Sequence, residues 1–342
     1  MTQIVLLTGA SGFIAKHIAL KLLNAGYAVR GTVRKLDRAD EVRDAVRPHL
    51  TDPAALDRLS FVTLDLERDA GWAEALAGVD VLMHTASPFP IAQPRNEDAL
   101  IRPAVDGTLR ALRAAKAAGV KRVILTSSAA AVMGCDLPPG KAAYDEADWT
   151  DLARPGVSAY EKSKTMAERA AWDFIASEAP DMQMTTINPT LVLGPPLDRH
   201  FGSSISIIER ILNGADPAIP NFGISCVDVR DVADMHLAAL TQDGTAGERF
   251  LVSERFVWFK EVADVLRQAY PDRKIASWVA PDFLLRILAL FDASIKALVP
   301  QLGRKSVVSS AKAQQIMGIR FIPVPESIRD AAQFLVDNKL VK

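Results

Sequence analysis

Short apolar runs alternate with amphipathic stretches through the first half of the chain. The runs are rich in valine, isoleucine and leucine and predict six strands: "IVLLT" (4–8), "AVRGTVR" (28–34), "SFVTLDL" (60–66), "DVLMHTA" (80–86), "RVILTSS" (122–128) and "QMTTINP" (183–189). The stretches between them predict helices over 13–26, about 38–47, 97–119 and around Tyr160. Strands that alternate with helices and are apolar throughout form parallel sheets covered on both faces. The pattern therefore predicts a doubly wound parallel α/β sheet, the Rossmann fold.

The alternation fades after residue 189, which predicts a second, smaller domain built from separate segments. We expect residues 1–188 plus about 226–243 to form the Rossmann domain, and 189–225 plus 244–342 to form the smaller, substrate-binding domain. The run "CVDVRDVADMHLAAL" (226–240) is expected to return to the main sheet as a strand and a helix.

One apolar stretch, "FLLRILALFDASIKALV" (283–299), has to be weighed as a membrane span. Arg286, Asp292 and Lys296 interrupt it, and it is too short and too charged to cross a bilayer. We expect an amphipathic helix packed on the protein's own core, and no membrane partner.

Composition indicates an ordinary globular protein: 49% of residues are apolar, 24% are charged, and the net charge is -1. This balance argues against a nucleic-acid partner, which would need a basic face. Cys135 and Cys226 are too few for a disulfide framework. The start "MTQIVLLTGA" lacks the features of a secretory signal. We expect a cytoplasmic protein, a monomer or a homodimer.

A glycine-rich loop follows the first predicted strand, in "LLTGASGFIA". Gly9 would permit the tight turn, Gly12 would let a pyrophosphate approach the helix N-terminus, and Ala15 would keep the helix close to the strand. A tight strand-to-helix turn could have this pattern without a ligand, but its place after the first strand favours a dinucleotide site. The predicted cofactor contacts of this loop are Gly9, Ser11, Gly12, Phe13 and Ile14.

The end of the second strand bears on the choice between NAD and NADP. NAD sites hold the ribose hydroxyls with an acid at this place, whereas this chain has Arg34 and Lys35 and no acid before Asp37. A guanidinium suits a phosphate dianion, so NADP is predicted; otherwise Arg34 merely begins a solvated turn. Asp65 with Leu66 is expected at the adenine edge, although Asp65 alone would be a simple strand-end acid.

Tyr160 and Lys164 lie four residues apart in the stretch "VSAYEKSKTMAER" and so share one face of a predicted helix. An ammonium beside a phenol is expected to lower the pKa of the tyrosine toward the range of an acid–base catalyst. The spacing alone is common on surface helices. A serine at the end of the fifth strand, Ser127 or Ser128, would lie at the same sheet edge and could hold a carbonyl oxygen, while Lys164 could also bind the nicotinamide ribose. Glu168, in the same stretch, is interpreted as an ordinary surface charge.

Six segments in order resemble the extended short-chain dehydrogenases/reductases: "TGASGFIA", "TVR", "HTASPFP", "TSSAAAV", "YDEADW" and "YEKSK". Within that family the chain looks most similar to the dihydroflavonol reductase, cinnamoyl-CoA reductase and aldehyde/ketone reductase group. The resemblance implies a catalytic triad of Ser128, Tyr160 and Lys164. It also implies cofactor contacts from Thr85, Ala86 and Ser87, and from Pro189, Val192 and Ser204 at the nicotinamide end.

One position departs from the flavonoid reductases, which carry a polar residue five positions after the catalytic serine. Here that residue is Met133, which favours a less polar aldehyde or ketone as substrate. His84 is interpreted as a packed strand-end residue, and His200 could touch substrate. No metal is expected, because His17 and His236 lack a second ligand at metal spacing. The candidates for pocket walls are Phe89, Phe201, Phe222, Trp258 and Trp278.

The sequence thus predicts an NADPH-dependent reductase of aldehydes or ketones that acts on a small carbonyl substrate. Two alternatives stay open. One is a hydroxysteroid dehydrogenase or nucleotide-sugar epimerase/dehydratase of the same superfamily, and the other is a sensor that binds NADP without turnover.

Overall fold

The computed structural model describes residues 2–87 and 96–342. Its strands are β1 (Ile4–Thr8), β2 (Ala28–Val33), β3 (Leu59–Thr63), β4 (Val81–His84), β5 (Arg122–Thr126), β6 (Gln183–Pro189), β7 (Leu191–Leu193), β8 (Gly223–Asp228), β9 (Arg249–Val252) and β10 (Arg255–Trp258). Within the described residues, seven of them form a sheet in the order β3-β2-β1-β4-β5-β6-β9, and every pairing is parallel. The prediction of a doubly wound Rossmann sheet is confirmed.

Helices cover both faces of this sheet. The α-helices of the described residues, in chain order, are α1 (Phe13–Asn24), α2 (Arg38–Val46), α3 (Trp72–Leu76), α4 (Asp98–Ala117), α5 (Ala159–Glu178), α6 (Ser203–Leu212), α7 (Val229–Thr241), α8 (Phe259–Ala269), α9 (Asp282–Leu288), α10 (Ala293–Leu298), α11 (Ala311–Met317) and α12 (Val324–Asp337). Strand β1 shows how the core divides, because side chains alternate between faces. Val5 and Leu7 pack with α1 and α7, whereas Leu6 packs with α3, α4 and α5.

A second sheet of three strands, in the order β10-β8-β7, lies outside the main one. Its core includes Leu193 and Cys226 and is completed by apolar residues of α6, α8 and α12. This arrangement agrees with a smaller C-terminal part made from separate segments. The exact division into two domains stays a prediction.

The expectation for residues 226–240 is wrong in one respect. The strand of that run belongs to β8, which pairs with β7 and β10, and the main sheet is instead extended by β9. The helix of the run, α7, does pack on the main sheet through Val232, Met235 and neighbouring residues. Both strands are short and buried, so their sequences alone do not reveal which sheet each joins.

The stretch 283–299 also differs from its prediction. It forms two short helices, α9 and α10, and several of its apolar side chains are exposed: Phe283 is 67% exposed and Phe291, between the two helices, is 86% exposed. Within the described residues, no helix is both long enough and apolar enough to cross a membrane.

The carboxyl ends of the central strands meet at one edge of the main sheet. Thr8 at the end of β1 is in register with His84 at the end of β4, and Thr126 at the end of β5 pairs with Ile187 of β6. Ligands of doubly wound sheets bind beyond this edge. The polar residues singled out from the sequence are therefore brought to one side of the molecule.

Candidate active site

The loop between β1 and α1 has the conformation that its glycines predict. Gly9 has a φ of 66°, and a Cβ there would lie 3.0 Å from the Cβ of Ala86. A Cβ on Gly12 would lie 3.2 Å from the Gly9 carbonyl oxygen. Helix α1 begins at Phe13 with no side-chain cap and no acid in its first turn. Its first backbone N–H groups are thus available to an anion.

Thr8 joins this loop to the end of β4. Its hydroxyl oxygen accepts hydrogen bonds from the backbone N–H groups of Thr85 and Ala86, each at 3.1 Å, and contacts Nδ1 of His84 at 2.9 Å. Since the hydroxyl accepts twice from the backbone, its own proton goes to His84 Nδ1. His84 is buried, and burial lowers its pKa to about 4. The interpretation of His84 as a packed strand-end residue is confirmed.

Arg34 and Lys35 follow β2 directly, and both are exposed. Asp65 and Leu66 lie just past β3; the Asp65 carboxylate accepts from the Glu67 backbone N–H at 3.0 Å. In the parallel sheet β2 lies next to β1 and β3 lies next to β2, so both pairs of residues follow the carboxyl ends of strands on the side of the glycine loop. Their contacts with a cofactor stay predictions.

Ser128 and Ser127 point to different partners. The Ser128 side chain hydrogen bonds with Tyr160 and also accepts from the Ala130 backbone N–H at 3.1 Å. The Ser127 hydroxyl instead donates to Glu168 at 2.5 Å and is buried. The structure thus pairs Ser128, and not Ser127, with the tyrosine.

Helix α5 fixes Tyr160 and Lys164 relative to this serine. Its N-terminus is closed by a capping box, in which Ser158 accepts from the Glu161 backbone and the Glu161 carboxylate accepts from the Ser158 backbone. Tyr160 therefore lies in the first helical turn. The Lys164 Nζ lies 5.9 Å from the centroid of the tyrosine ring, and Lys164 is buried.

The pKa shifts at this site differ from the expectation. Burial raises the pKa of Tyr160, and the Ser128 hydrogen bond is what opposes that rise. Burial lowers the pKa of Lys164 to about 8, against the charge of Glu168. The prediction that Lys164 would lower the tyrosine pKa neglected the desolvation of the phenol, which favours its neutral form. A neutral phenol has a proton to donate.

Sequence reasoning missed Glu168. The side chain is 1% exposed, pairs with Arg249 at 2.6 Å and accepts a hydrogen bond from Asn188 at 2.6 Å. The interpretation of Glu168 as a surface charge is wrong. Its spacing was the available signal. Tyr160, Lys164 and Glu168 follow one another at intervals of four residues and so share one face of the helix.

A cavity of about 360 Å³ lies beside the tyrosine helix. Its wall includes Met133, Val157 and Glu161 from the Rossmann part, together with Ile224 of β8 and Arg304. Of the candidate pocket walls, Phe222 is buried and Trp278 is half exposed; Phe89 lies outside the described residues. Among the predicted nicotinamide-end residues, Pro189 ends β6, Val192 is buried in β7, and Ser204 lies in the first turn of α6.

His200 lies in a charged cluster with Glu41 and Asp198. Glu41, Asp198 and His200 present oxygen and nitrogen atoms close together, a spacing that could hold a metal ion. The buried Lys16 ammonium already lies among them, 2.7 Å from Glu41 and in contact with Asp198. The Lys16 ammonium neutralises the two carboxylates, so the cluster holds little net negative charge to attract a metal ion.

Comparison with known proteins decides the family. Residues 5–253 match the model of the NAD dependent epimerase/dehydratase family, the extended short-chain dehydrogenases/reductases. The chain belongs to this family. It is 33% identical to a cinnamoyl-CoA reductase of Medicago truncatula, over 98% of this chain and 97% of that protein. It is also 33% identical to a ketoreductase of Aspergillus niger, over 98% of both chains.

One solved structure, that of a yeast reductase, resembles this chain closely in fold. The yeast methylglyoxal/isovaleraldehyde reductase, crystallised with NADPH, superposes with a TM-score of 0.80 at 28% sequence identity. The match covers 99% of this chain and 100% of the yeast chain. The resemblance to the reductase group, derived above from six short segments, is confirmed over the whole length of the chain, which is an oxidoreductase of the extended family.

Proposed function

We propose that this protein is an NADPH-dependent reductase that converts an aldehyde or ketone to an alcohol. The observation that carries the proposal is the hydrogen bond between Ser128 and Tyr160, with Lys164 one turn further along the same helix. A serine, a phenol and an ammonium at the carboxyl edge of a Rossmann sheet supply the groups that carbonyl reduction requires.

The residues at the glycine loop fit a dinucleotide. Gly9 and Gly12 leave open the space that Cβ atoms would fill, and the first turn of α1 offers uncapped backbone N–H groups for a pyrophosphate. Arg34 and Lys35 offer positive charge for the 2′-phosphate that distinguishes NADP from NAD. The NADPH bound by the yeast reductase supports the same choice.

When bound, NADPH supplies the hydride that the carbonyl carbon accepts. The Ser128 hydroxyl donates a hydrogen bond to the carbonyl oxygen, and Tyr160 transfers its proton to that oxygen as negative charge develops there. The Lys164 ammonium stabilises the phenolate that Tyr160 leaves behind. Met133, in the wall of the neighbouring cavity, adds an apolar surface and favours less polar carbonyl compounds.

The test is NADPH oxidation, followed by absorbance, across aldehydes, diketones and aromatic ketones, with NADPH affinity measured separately by fluorescence. We expect turnover with a subset of these compounds and weaker use of NADH. Tight NADPH binding without turnover of any carbonyl would contradict the proposal and favour a binding protein. Each candidate alcohol should also be offered with NADP, to detect the reverse reaction.

A further inference from the structure

Glu168 occupies the centre of a buried polar network below the candidate triad. Its Oε2 accepts from the Ser127 hydroxyl at 2.5 Å and from Asn188 Nδ2 at 2.6 Å. Asn188 Nδ2 also donates to the Ser128 carbonyl oxygen at 3.2 Å. One carboxylate oxygen thus holds the Ser127 side chain directly and the Ser128 backbone through Asn188. These contacts fix the turn that points the Ser128 hydroxyl at Tyr160.

The other carboxylate oxygen is held by Arg249 of β9. Arg249 Nε donates to Oε1 at 2.6 Å, and Nη1 donates to the carbonyl oxygens of Glu146 and Asp148 at 2.8 and 3.1 Å. The guanidinium lies over the ring of Trp149, with its central carbon 3.6 Å from the ring centroid. Such an anchored partner holds the Glu168 carboxylate in one place, although both side chains are buried.

The charge of Glu168 opposes the burial that lowers the pKa of Lys164, which lies one helical turn away. On α5 itself, Tyr160 and Glu168 lie one turn either side of the lysine. From β4 the nearby titratable group is His84, which burial holds neutral by lowering its pKa to about 4. From α4, the described ion pair with α5 joins Glu97 to Lys162, which both lie toward solvent.

The remaining acids near Arg249 are already engaged elsewhere. The Glu146 carboxylate accepts from the Leu251 backbone N–H at 3.0 Å, and Asp148 pairs with Lys141 at 2.7 Å. Trp172 and Thr186 are the further neutral contacts of the Glu168 carboxylate, at 3.4 and 3.3 Å.

We propose that Glu168 is a positioning residue of the reductase site, which orients Ser128 through Ser127 and Asn188 and keeps Lys164 positively charged. The proposal rests on the proposed function for its effect on turnover. Its physical content, a fixed serine turn and a charged lysine, can be measured without turnover.

The first measurement is kinetic. In Glu168→Gln we expect kcat to fall at least about tenfold, with the KM for NADPH within about twofold of wild type, because the cofactor loop is not touched. Glu168→Asp keeps the charge but is too short to reach Ser127 and Asn188 together, so its kcat should also fall. Glu178 is an exposed glutamate of the same helix, so Glu178→Gln is the matched control and should leave kcat and the KM for NADPH unchanged. Wild-type kcat in Glu168→Gln would overturn the proposal.

The second measurement is the titration of Lys164 itself, by NMR of protein labelled with ¹³C at lysine Cε, with Lys164→Met to assign the signal. Glu168→Gln should move the Lys164 inflection to lower pH by about one pH unit, and Glu168→Asp should largely restore it. Arg249→Met should move it to higher pH, because the carboxylate then loses its competing cation. A merely structural role would give no such opposite pair of shifts.

The two proposals fail in distinguishable ways. If the wild type reduces no carbonyl compound yet the Lys164 inflection moves as described, the reductase function is wrong and the Glu168 assignment stands. If the wild type is an active reductase and neither variant moves the inflection, the Glu168 assignment is wrong. If Arg249→Met does not fold, Glu168→Gln and Glu168→Asp still test the assignment, because only the first of them removes the charge that acts on Lys164.

Discussion

Ser128 and Tyr160 are joined by a hydrogen bond between their side chains, although they lie on different elements and far apart in the chain. Two local features make the contact possible. Ser128 has an extended backbone and caps a short 3-10 turn, where its hydroxyl oxygen accepts from the Ala130 backbone N–H, and the capping box of α5 fixes the first turn of the helix that carries Tyr160. The two groups of the proposed chemistry therefore lie together in the structure, an arrangement that would lower the reorganisation required by the proposed proton transfer.

Tyr160→Phe should abolish turnover and leave NADPH affinity nearly unchanged. The change removes one hydroxyl, the proton donor, and keeps the ring that packs in α5; loss of a general acid costs about 10²–10⁴-fold in rate. Turnover is followed by NADPH absorbance and affinity by cofactor fluorescence. Activity near the wild-type level in this variant would exclude the proposed proton donor.

Alanine at each of the two neighbouring serines separates catalysis from stability. Ser128→Ala should lower kcat strongly with little change in the free energy of unfolding, because its hydroxyl faces Tyr160. Ser127→Ala should lower the free energy of unfolding by about 1–3 kcal/mol, because Oε2 of buried Glu168 loses one of its two donors, and should lower kcat less than Ser128→Ala does. Kinetics and urea unfolding of both variants give the comparison. The reverse pattern would show that Ser127 carries the chemistry.

Turnover should fall on the alkaline side with an inflection near the Lys164 pKa. Burial lowers that pKa to about 8, so the ammonium that stabilises the Tyr160 phenolate is present below this pH and is lost as pH rises through it. The kcat profile between pH 6 and 10 at saturating NADPH measures it. In Lys164→Arg the guanidinium stays charged, so the alkaline fall should move beyond this range even if the rate is lower. An unchanged inflection in that variant would assign the fall to another group.

The fold and the main site residues could be predicted because each depends on a local pattern. Strands such as β1 and β5 have unbroken apolar centres, and Gly9, with its positive φ, and Gly12 mark a tight turn that residues with a Cβ form only with strain or crowding. Glu168 could not be interpreted correctly, because its burial depends on Arg249, which lies on a distant strand of the sheet. The exposure of the apolar residues of α9 could not be predicted for a similar reason. Amphipathic spacing identifies a helix with one apolar face, but it does not show whether another part of the chain covers that face.

The direction of the Tyr160 pKa shift shows a related limit. The sequence gives the spacing of Tyr160 and Lys164, which implies an attractive charge, but it contains no measure of how fully the phenol is desolvated. In the structure desolvation is the larger effect and the shift is upward. Competing effects of opposite sign can be ranked only when the burial of both groups is known.

Replacing Arg34 with glutamate should shift the preference from NADPH toward NADH. The exposed guanidinium after β2 is the group proposed to meet the 2′-phosphate, and an acid at that place would repel the phosphate and could hold ribose hydroxyls instead. The ratio of kcat/KM for NADPH to that for NADH measures the change. Lys121→Glu alters the net charge equally at an exposed position before the amino end of β5, away from this edge of the sheet, and is the control. If the two variants shift the ratio equally, the effect is one of general charge.

Gly9→Ala should weaken NADPH binding and lower stability more than the same change at Gly140. Both glycines have positive φ values, 66° and 88°, so alanine at either place costs about 1–2 kcal/mol in backbone strain. Only at Gly9 does the new Cβ also approach a neighbour, 3.0 Å from the Ala86 Cβ, whereas nothing lies within 4 Å of it at Gly140. Gly9→Ala should therefore force the phosphate loop away from the end of β4. Urea unfolding separates the strain common to both variants from the additional contact, and NADPH titration of the folded proteins shows whether the loop has moved. Equal losses of stability with unchanged NADPH affinity in both variants would mean that the close approach of Gly9 to Ala86 has no part in cofactor binding.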